Sequence, residues 1–237
     1  MYQQHIIIDL EMNPVSTNEH EARKHIGREV IEIGAIKLDE SLKIIDRFQC
    51  YVKPQYNEHI CGFIRRLTGI GFSQTHDANS FSEAMNLLAT WIGDKKTRIY
   101  SWSDSDLIQL RKECLFKDVP FPTNMSRWTD LQAIFPRMMQ QNSYRKLSLK
   151  NAATVFGIAL DQERAHGALY DAEITAELLI PFLDGSYRAR AAYQHTMILT
   201  EPSYSTTTLG QACGGILQQL LAKMRAEQQP APVCLAN

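Results

Sequence analysis

HIIIDLEMN, at residues 5–13, sets two carboxylates into an apolar run close to the start of the chain. Ile6, Ile7 and Ile8 lead to Asp9, and Leu10 separates Asp9 from Glu11. A short run of β-branched aliphatic residues reads as a buried strand. Such a strand ought to reject acids, because burying an unpaired charge is expensive. Residues i and i+2 of a strand share a face, so Asp9 and Glu11 project together. Like charges that close repel until one protonates or a cation settles between them. Mg²⁺ and Mn²⁺ favour carboxylate and water oxygens. The competing reading is a strand end whose acids lie in solvent or pair with arginine, and a lone D-x-E does not decide between the two.

Downstream, the polar stretch at 13–27 reads as a loop between paired strands, with EVIEIGAIKLD (29–39) as the second strand and SLKIIDRFQCYVKP (41–54) as the third. Their short connections predict an antiparallel meander. Beyond Phe63 the period changes. FIRRLTGI (63–70) is helical up to Gly69, and SFSEAMNLLATWIG (80–93) predicts an amphipathic helix with Ser80 or Ser82 as N-cap and Gly93 as stop. TRIYSWS (97–103) is a fourth strand and SDLIQLRKECLF (105–116) a helix. SRWTDLQAIFPRM (126–138) is a short strand or a helix start, SLKNAATVFGI (148–158) a helix, and AHGALYDAEITAELLIPFL (165–183) a loop running into a helix. This order predicts an α/β fold with a mixed sheet.

The chain of 237 residues suffices for one large domain, with ordinary apolar content and a formal net charge of −1. That charge argues against a surface that grips a duplex through phosphates everywhere, and leaves room for a local basic groove. The five cysteines are scattered without a CxxC pair, which suits a reducing compartment and carries no zinc signature. With no charged leader followed by a long apolar stretch, and no long apolar run elsewhere, the expectation is a soluble, cytoplasmic protein. A GxGxxG after a strand and a Walker A motif are both missing, which disfavours dinucleotide and P-loop chemistry.

Two further stretches bear on the acids. YSWSDSDLIQL (100–110) ends a strand with Asp104 and Asp106 at a helix start. Capping by Ser103, Asp104 or Ser105 explains this pair as well as metal ligation does. AHGALYDAEITAELL (165–179) places His166 in a glycine-containing loop and Asp171 five residues on, close to the apolar stripe of a helix. A carboxylate there needs a partner, either a metal or a base such as Arg164.

The order of the three motifs is more specific than any one of them. DLE at 9–11, SDSD at 103–106 and HGALYD at 166–171 resemble the DEDDh branch of the DnaQ-like 3′–5′ exonucleases. EVIEIGAIKLD resembles that family's second strand. RRLTGI at 65–70 and the W-x-D-x-D form of the second motif are similar to the ERI-1/histone-mRNA exonuclease subgroup. The resemblance covers about residues 4–185. Ser103 departs from it, standing where many relatives carry glycine, and two aspartates compete for the second motif. By register with DLIQL, Asp106 is the ligand, and Asp104 caps the helix or orients its neighbour.

The resemblance implies an RNase H-like mixed sheet of about five strands flanked by helices. It also implies a 3′–5′ exonuclease of residues 1–187 that uses two Mg²⁺ or Mn²⁺ ions and releases nucleoside monophosphates from single-stranded 3′ ends, RNA somewhat favoured over DNA. Asp9 would bridge both ions, Glu11 and Asp171 would hold the water-activating one, and Asp106 would support the second. His166 would take the proton of the attacking water, imidazole being the side chain that changes charge near neutral pH, with Gly167 letting it move into place. Leu67, Thr68 and Ile70 would contact the terminal nucleotide beside Leu10 and Met12. Trp102 would stack on a base, against the commoner reading of a strand-end tryptophan as core. Arg65, Arg66, Arg145 and Lys146 are candidates for phosphate contacts, each set against a plain solvated surface. Residues 188–237 form an extension in which ILQQLLAKMRAE (216–227) reads as an amphipathic helix, packing on its own domain or pairing with a second copy, and the last residues read as a tail. The alternative function is a catalytically silent RNase H-like nucleic-acid-binding or regulatory protein.

Overall fold

The computed structural model describes residues 2–138, 146–161 and 166–186. The expected helix at 216–227, the tail, Arg145 and Arg164 lie outside the described residues. The chain divides into two units, Met1–Ile198 and Leu199–Asn237, and the description below concerns the first.

β1 (Gln4–Pro14) is the central strand. The polar stretch after it is not all loop, since α1 (His20–His25) forms there and buries Ala22. That helix is held by a small apolar cluster of Val15, Ala22 and Ile26 under Tyr56 and Phe116. β2 (Arg28–Asp39) and β3 (Ile44–Tyr51) follow in the expected antiparallel meander. Next come α2 (Gly62–Thr68), which ends on left-handed Gly69, and the short α3 (Phe72–Thr75). α4 (Phe81–Ile92) starts at Ser80, whose hydroxyl accepts from the Glu83 backbone N–H while the Glu83 carboxylate reaches back to Ser80.

β4 (Thr97–Ser101) lies parallel to β1, and α5 (Ser105–Phe116) follows it. A 3₁₀ turn at Thr123–Met125 leads into β5 (Trp128–Asp130), parallel to β4, then α6 (Leu131–Met138). The stretch 126–138 is thus both a strand and a helix start. α7 (Leu149–Val155) and α8 (Ala168–Leu183) complete the described residues. The five-stranded sheet has the order β3-β2-β1-β4-β5, so the expected mixed sheet flanked by helices is what forms.

The alternation of β1 sorts the two cores. Ile6, Ile8 and Leu10 pack with α4 residues Met85 and Leu88 and with Leu110 of α5. Ile7 points the other way, into a cluster with Ala172, Ala176 and Leu179 of α8. Asp9 and Glu11 share Ile7's face and stand on α8's side of the sheet. Small residues let α8 approach closely. A Cβ on Gly34 would lie 2.1 Å from Leu169 N and 2.2 Å from Ala168 C, so only glycine fits on β2 where α8 begins.

Candidate active site

Two elements place three of the acids. The C-terminal half of β1 carries Asp9 and Glu11 on one face, and the first turn of α8 carries Asp171. One carboxylate oxygen from each lies within 4.8 Å of those of the other two. The fourth acid, Asp106, sits in the first turn of α5, is 5% exposed, and accepts from its own backbone N–H and that of Leu10. That bond forms beyond the last β1–β4 pair, Ile7↔Tyr100, so Asp106 reaches into the gap left where β1 runs past β4. Asp104 occupies the N-cap position of α5 as one of its two expected roles requires, but makes no side-chain capping bond. Ser103 Oγ instead accepts from Ser105 N at 3.3 Å.

Burial and mutual repulsion make these carboxylates hard to ionise together. Asp9 is raised well above the usual carboxylate range by burial, then by Asp106, Asp171, Glu11 and Glu32. Burial, with Asp171, Glu32 and Asp106, pushes Glu11 up to about 9. Asp106 rises to about 7 through burial, against the pull of the two backbone N–H groups. Asp171 is raised by burial too, and the His166 ring and backbone N–H oppose the rise. Among the described residues no lysine or arginine forms an ion pair with any of the four. A set of hard oxygen donors that no described lysine or arginine pairs with is the donor chemistry that divalent cations take, so the residues fit metal ions.

His166 lies beside this set, not within it. It is exposed, adopts a left-handed backbone (φ 64°), and immediately precedes Gly167, the N-cap of α8. The structure therefore brings Asp9, Glu11, Asp106, Asp171 and His166 to one end of the sheet. The expected nucleotide contacts fare differently. Leu10 and Ile70 are 6% and 2% exposed and belong to apolar clusters. Trp102 is 7% exposed, stacks edge-on to Phe135, and donates its indole N–H to Leu147 O, the core arrangement and not an open stacking face. Met12 packs partly against the core, while Leu67 and Thr68 remain part-exposed. The Thr68 hydroxyl donates to Ile64 O and accepts from Ile70 N. Arg65 and Arg66 are exposed, and Lys146 pairs with Asp130 at 3.6 Å.

One acid escaped the sequence reading. Glu32 stands directly opposite Glu11 in the β1–β2 register and is 1% exposed. Its signal resembled that of Asp9: an acid inside an otherwise apolar strand, two residues before a glycine.

The exonuclease family model (RNase_T) matches residues 6–179. Rat (Rattus norvegicus) 3′-5′ exoribonuclease 1 is 24% identical over 197 residues, an alignment covering 78% of this chain and 54% of that protein. The chain thus spans about half the length of the curated relatives it matches. The nuclease domain of 3′hExo, described as a DEDDh family member bound to rAMP, superposes with a TM-score of 0.67 at 23% identity, covering 78% of this chain and 93% of that one. E. coli exonuclease I in complex with a dT13 oligonucleotide gives 0.59 at 15% identity, over 79% of this chain and 42% of that one. Both share the fold, the RNase H-like sheet expected from the sequence. The match over residues 6–179, nearly three quarters of its length, places this chain in the exonuclease (RNase_T) family.

Proposed function

We propose that residues 1–187 act as a metal-dependent 3′–5′ exonuclease on single-stranded ends, with RNA favoured over DNA. The observation that carries this reading is the convergence of Asp9, Glu11 and Asp171 within 4.8 Å, beside buried Asp106 and with no lysine or arginine paired to them among the described residues. The relatives' printed names support the RNA preference, as exoribonuclease 1 is among them and one solved neighbour holds rAMP.

Asp9, Glu11, Asp106 and Asp171 are the residues that would hold two divalent ions, Mg²⁺ or Mn²⁺. When bound, such ions activate water and neutralise charge on the phosphoryl group and the leaving 3′-oxygen. The chain's own share is positional and acid–base. β1 keeps Asp9 and Glu11 on a rigid strand, and α8 delivers Asp171 opposite them. The imidazole of His166 receives the proton of the attacking water, and its place just ahead of Gly167 lets the ring swing between solvent and site. Leu67, Thr68 and Met12 offer surface to the terminal nucleotide, while Leu10, Ile70 and Trp102 belong to apolar clusters of the core. Arg65 and Arg66, exposed on α2, are the candidates for phosphate contacts. Scattered cysteines, of which Cys50, Cys61 and Cys114 are free, support a cytoplasmic setting. No described helix is long and apolar enough to cross a membrane.

The test uses 5′-labelled single- and double-stranded RNA and DNA with Mg²⁺ or Mn²⁺, repeated with EDTA and with His166→Ala. A ladder shortening from the 3′ end that both controls abolish supports the assignment. Internal cleavage, or activity that survives EDTA, overturns it. No shortening of any substrate points to the silent nucleic-acid-binding alternative.

A further inference from the structure

Glu32 is a carboxylate enclosed by the fold, and it faces Glu11 across the β1–β2 pair. Directly opposed like charges destabilise a sheet, and a buried charge without partners costs more still. Its two oxygens are both used. Oε1 accepts from Gln49 Nε2 at 2.6 Å, and Oε2 accepts from Ala168 N at 3.0 Å. Ala168 is the first residue of α8, so its N–H is one of the orphan donors of a helix start. The cap that a serine or aspartate would supply locally is missing here, because the N-cap residue is Gly167 and makes no side-chain bond. The acceptor comes instead from β2, 136 residues away in sequence. Gly34, two residues along the same strand and on the same face, provides the surface on which Ala168 and Leu169 rest.

The anchored residue lies between two functional ones. His166 is two positions before Ala168 and Asp171 three after it. We propose that Glu32 is a positioning residue: by capping α8 from β2 it holds the His166–Asp171 segment in register with Asp9 and Glu11 of the neighbouring strand. This inference rests on the nuclease reading for its catalytic consequence and on geometry alone for the cap. A negative acceptor at a helix N-terminus also suits the helix dipole, which explains why the strand tolerates this acid beside the site. Gln49, exposed on edge strand β3, orients the carboxylate from its other side.

The experiment uses the full chain with Glu32→Ala, Glu32→Gln and Gln49→Ala. Amide hydrogen exchange at Ala168 is followed in metal-free protein, and steady-state degradation of 5′-labelled single-stranded RNA is followed with Mn²⁺. For Glu32→Ala we expect Ala168 exchange faster by roughly 10- to 100-fold, as loss of a hydrogen bond to a charged acceptor allows. We expect kcat to fall by roughly 10- to 100-fold, the usual effect of losing a residue that orients metal ligands, with KM close to wild type. Glu32→Gln keeps an acceptor for the Ala168 N–H and should retain most of both the protection and kcat. Unchanged exchange in Glu32→Ala, or a kcat loss as deep in Glu32→Gln as in Glu32→Ala, overturns the positioning role. If Glu32→Ala does not fold, Gln49→Ala decides: faster Ala168 exchange with lowered kcat supports the anchor, and no change in either removes it. Should wild-type protein degrade no substrate, the nuclease reading fails, and the exchange measurement alone still judges the cap.

Discussion

Two groups of buried acids stand close together in this protein and are handled in opposite ways. At the start of β2, Glu29 and Glu113 have side chains with 0% exposure, and Lys117, at 6%, bridges them at 2.9 and 2.8 Å. The surplus acceptors are also filled: Gln55 N and Tyr56 N donate to Glu29, and Val30 N and Gln109 Nε2 donate to Glu113. Phe81 and Tyr56 close the ammonium in from two sides. Burial pulls Lys117 down, yet the two carboxylates outweigh it and the group ends above its ordinary value. At the end of β1, Asp9, Glu11 and Asp171 are gathered within 4.8 Å beside buried Asp106, with no lysine or arginine paired to the four among the described residues. Burial of acids therefore does not mark a functional site in this fold. What separates the two groups is whether the chain brings its own cation.

The largest effect that separates the two groups is expected at Asp9. Asp9→Asn should lower exonuclease activity by at least about 10³-fold, since several kcal/mol of charge stabilisation depend on the ions it helps to hold. The same variant should leave unfolding in urea without metal unchanged or more stable, because it relieves repulsion. The opposite pattern is expected at the closed cluster. Lys117→Met leaves two buried carboxylates unpaired and should cost about 3–5 kcal/mol of stability in urea titration, while folded molecules keep their cleavage activity. If Asp9→Asn proved the more destabilising of the two, the division between an open and a closed cluster would be wrong.

A third test varies pH. Carboxylates raised in the folded state bind protons that the unfolded chain has already released. Stability without metal should therefore be highest below the ordinary carboxylate range and decline as pH rises toward about 7 for Asp106 and about 9 for Glu11. Divalent ions compete with those protons. Mn²⁺ should raise the melting temperature more at pH 8.5 than at pH 5.5, and titration calorimetry should show proton release on binding. A metal-induced shift independent of pH would count against these acids as ligands. The smallest effect is expected from Arg47→Ala, which removes the part-exposed Arg47–Glu173 bridge at 2.9 Å. It should change stability by no more than about 1 kcal/mol and leave cleavage intact, and so reports what an exposed ion pair contributes beside the two buried groups.

Much of this was legible residue by residue. The alternation of HIIIDLEMN puts Asp9 and Glu11 on one face whatever their neighbours, and Ser80, one of the two N-caps expected for α4, is the one the structure uses, with a capping box to Glu83. Gly69 and Gly93 stop their helices with positive φ, as glycine at those points predicts. Asp106 over Asp104 followed from helical register, and the structure buries the former and leaves the latter exposed. Three readings went less well, each where long-range packing outweighs local pattern. The polar stretch after β1 hides α1, because its apolar residues are only Val15, Ala22 and Ile26, and the partners that cover them, Tyr56 and Phe116, are remote in sequence. Trp102 and Ile70, plausible against a nucleotide by type, are claimed by the core. Glu32 went unnoticed because a single acid in a strand carries no spacing from which to argue.

By itself the sequence determined which residues are strand, which acids travel as a pair on one face, and the order of motifs that resembles a nuclease family. Those follow from backbone periodicity and local sterics, which act over a few residues. Tertiary structure alone decided which buried acids meet a lysine and which are left to a cation from outside, and that α8 takes its cap from β2. Glu113 and Val30, or Glu32 and Ala168, are 83 and 136 residues apart, and only the register of packed strands and helices brings such groups to within 3.0 Å.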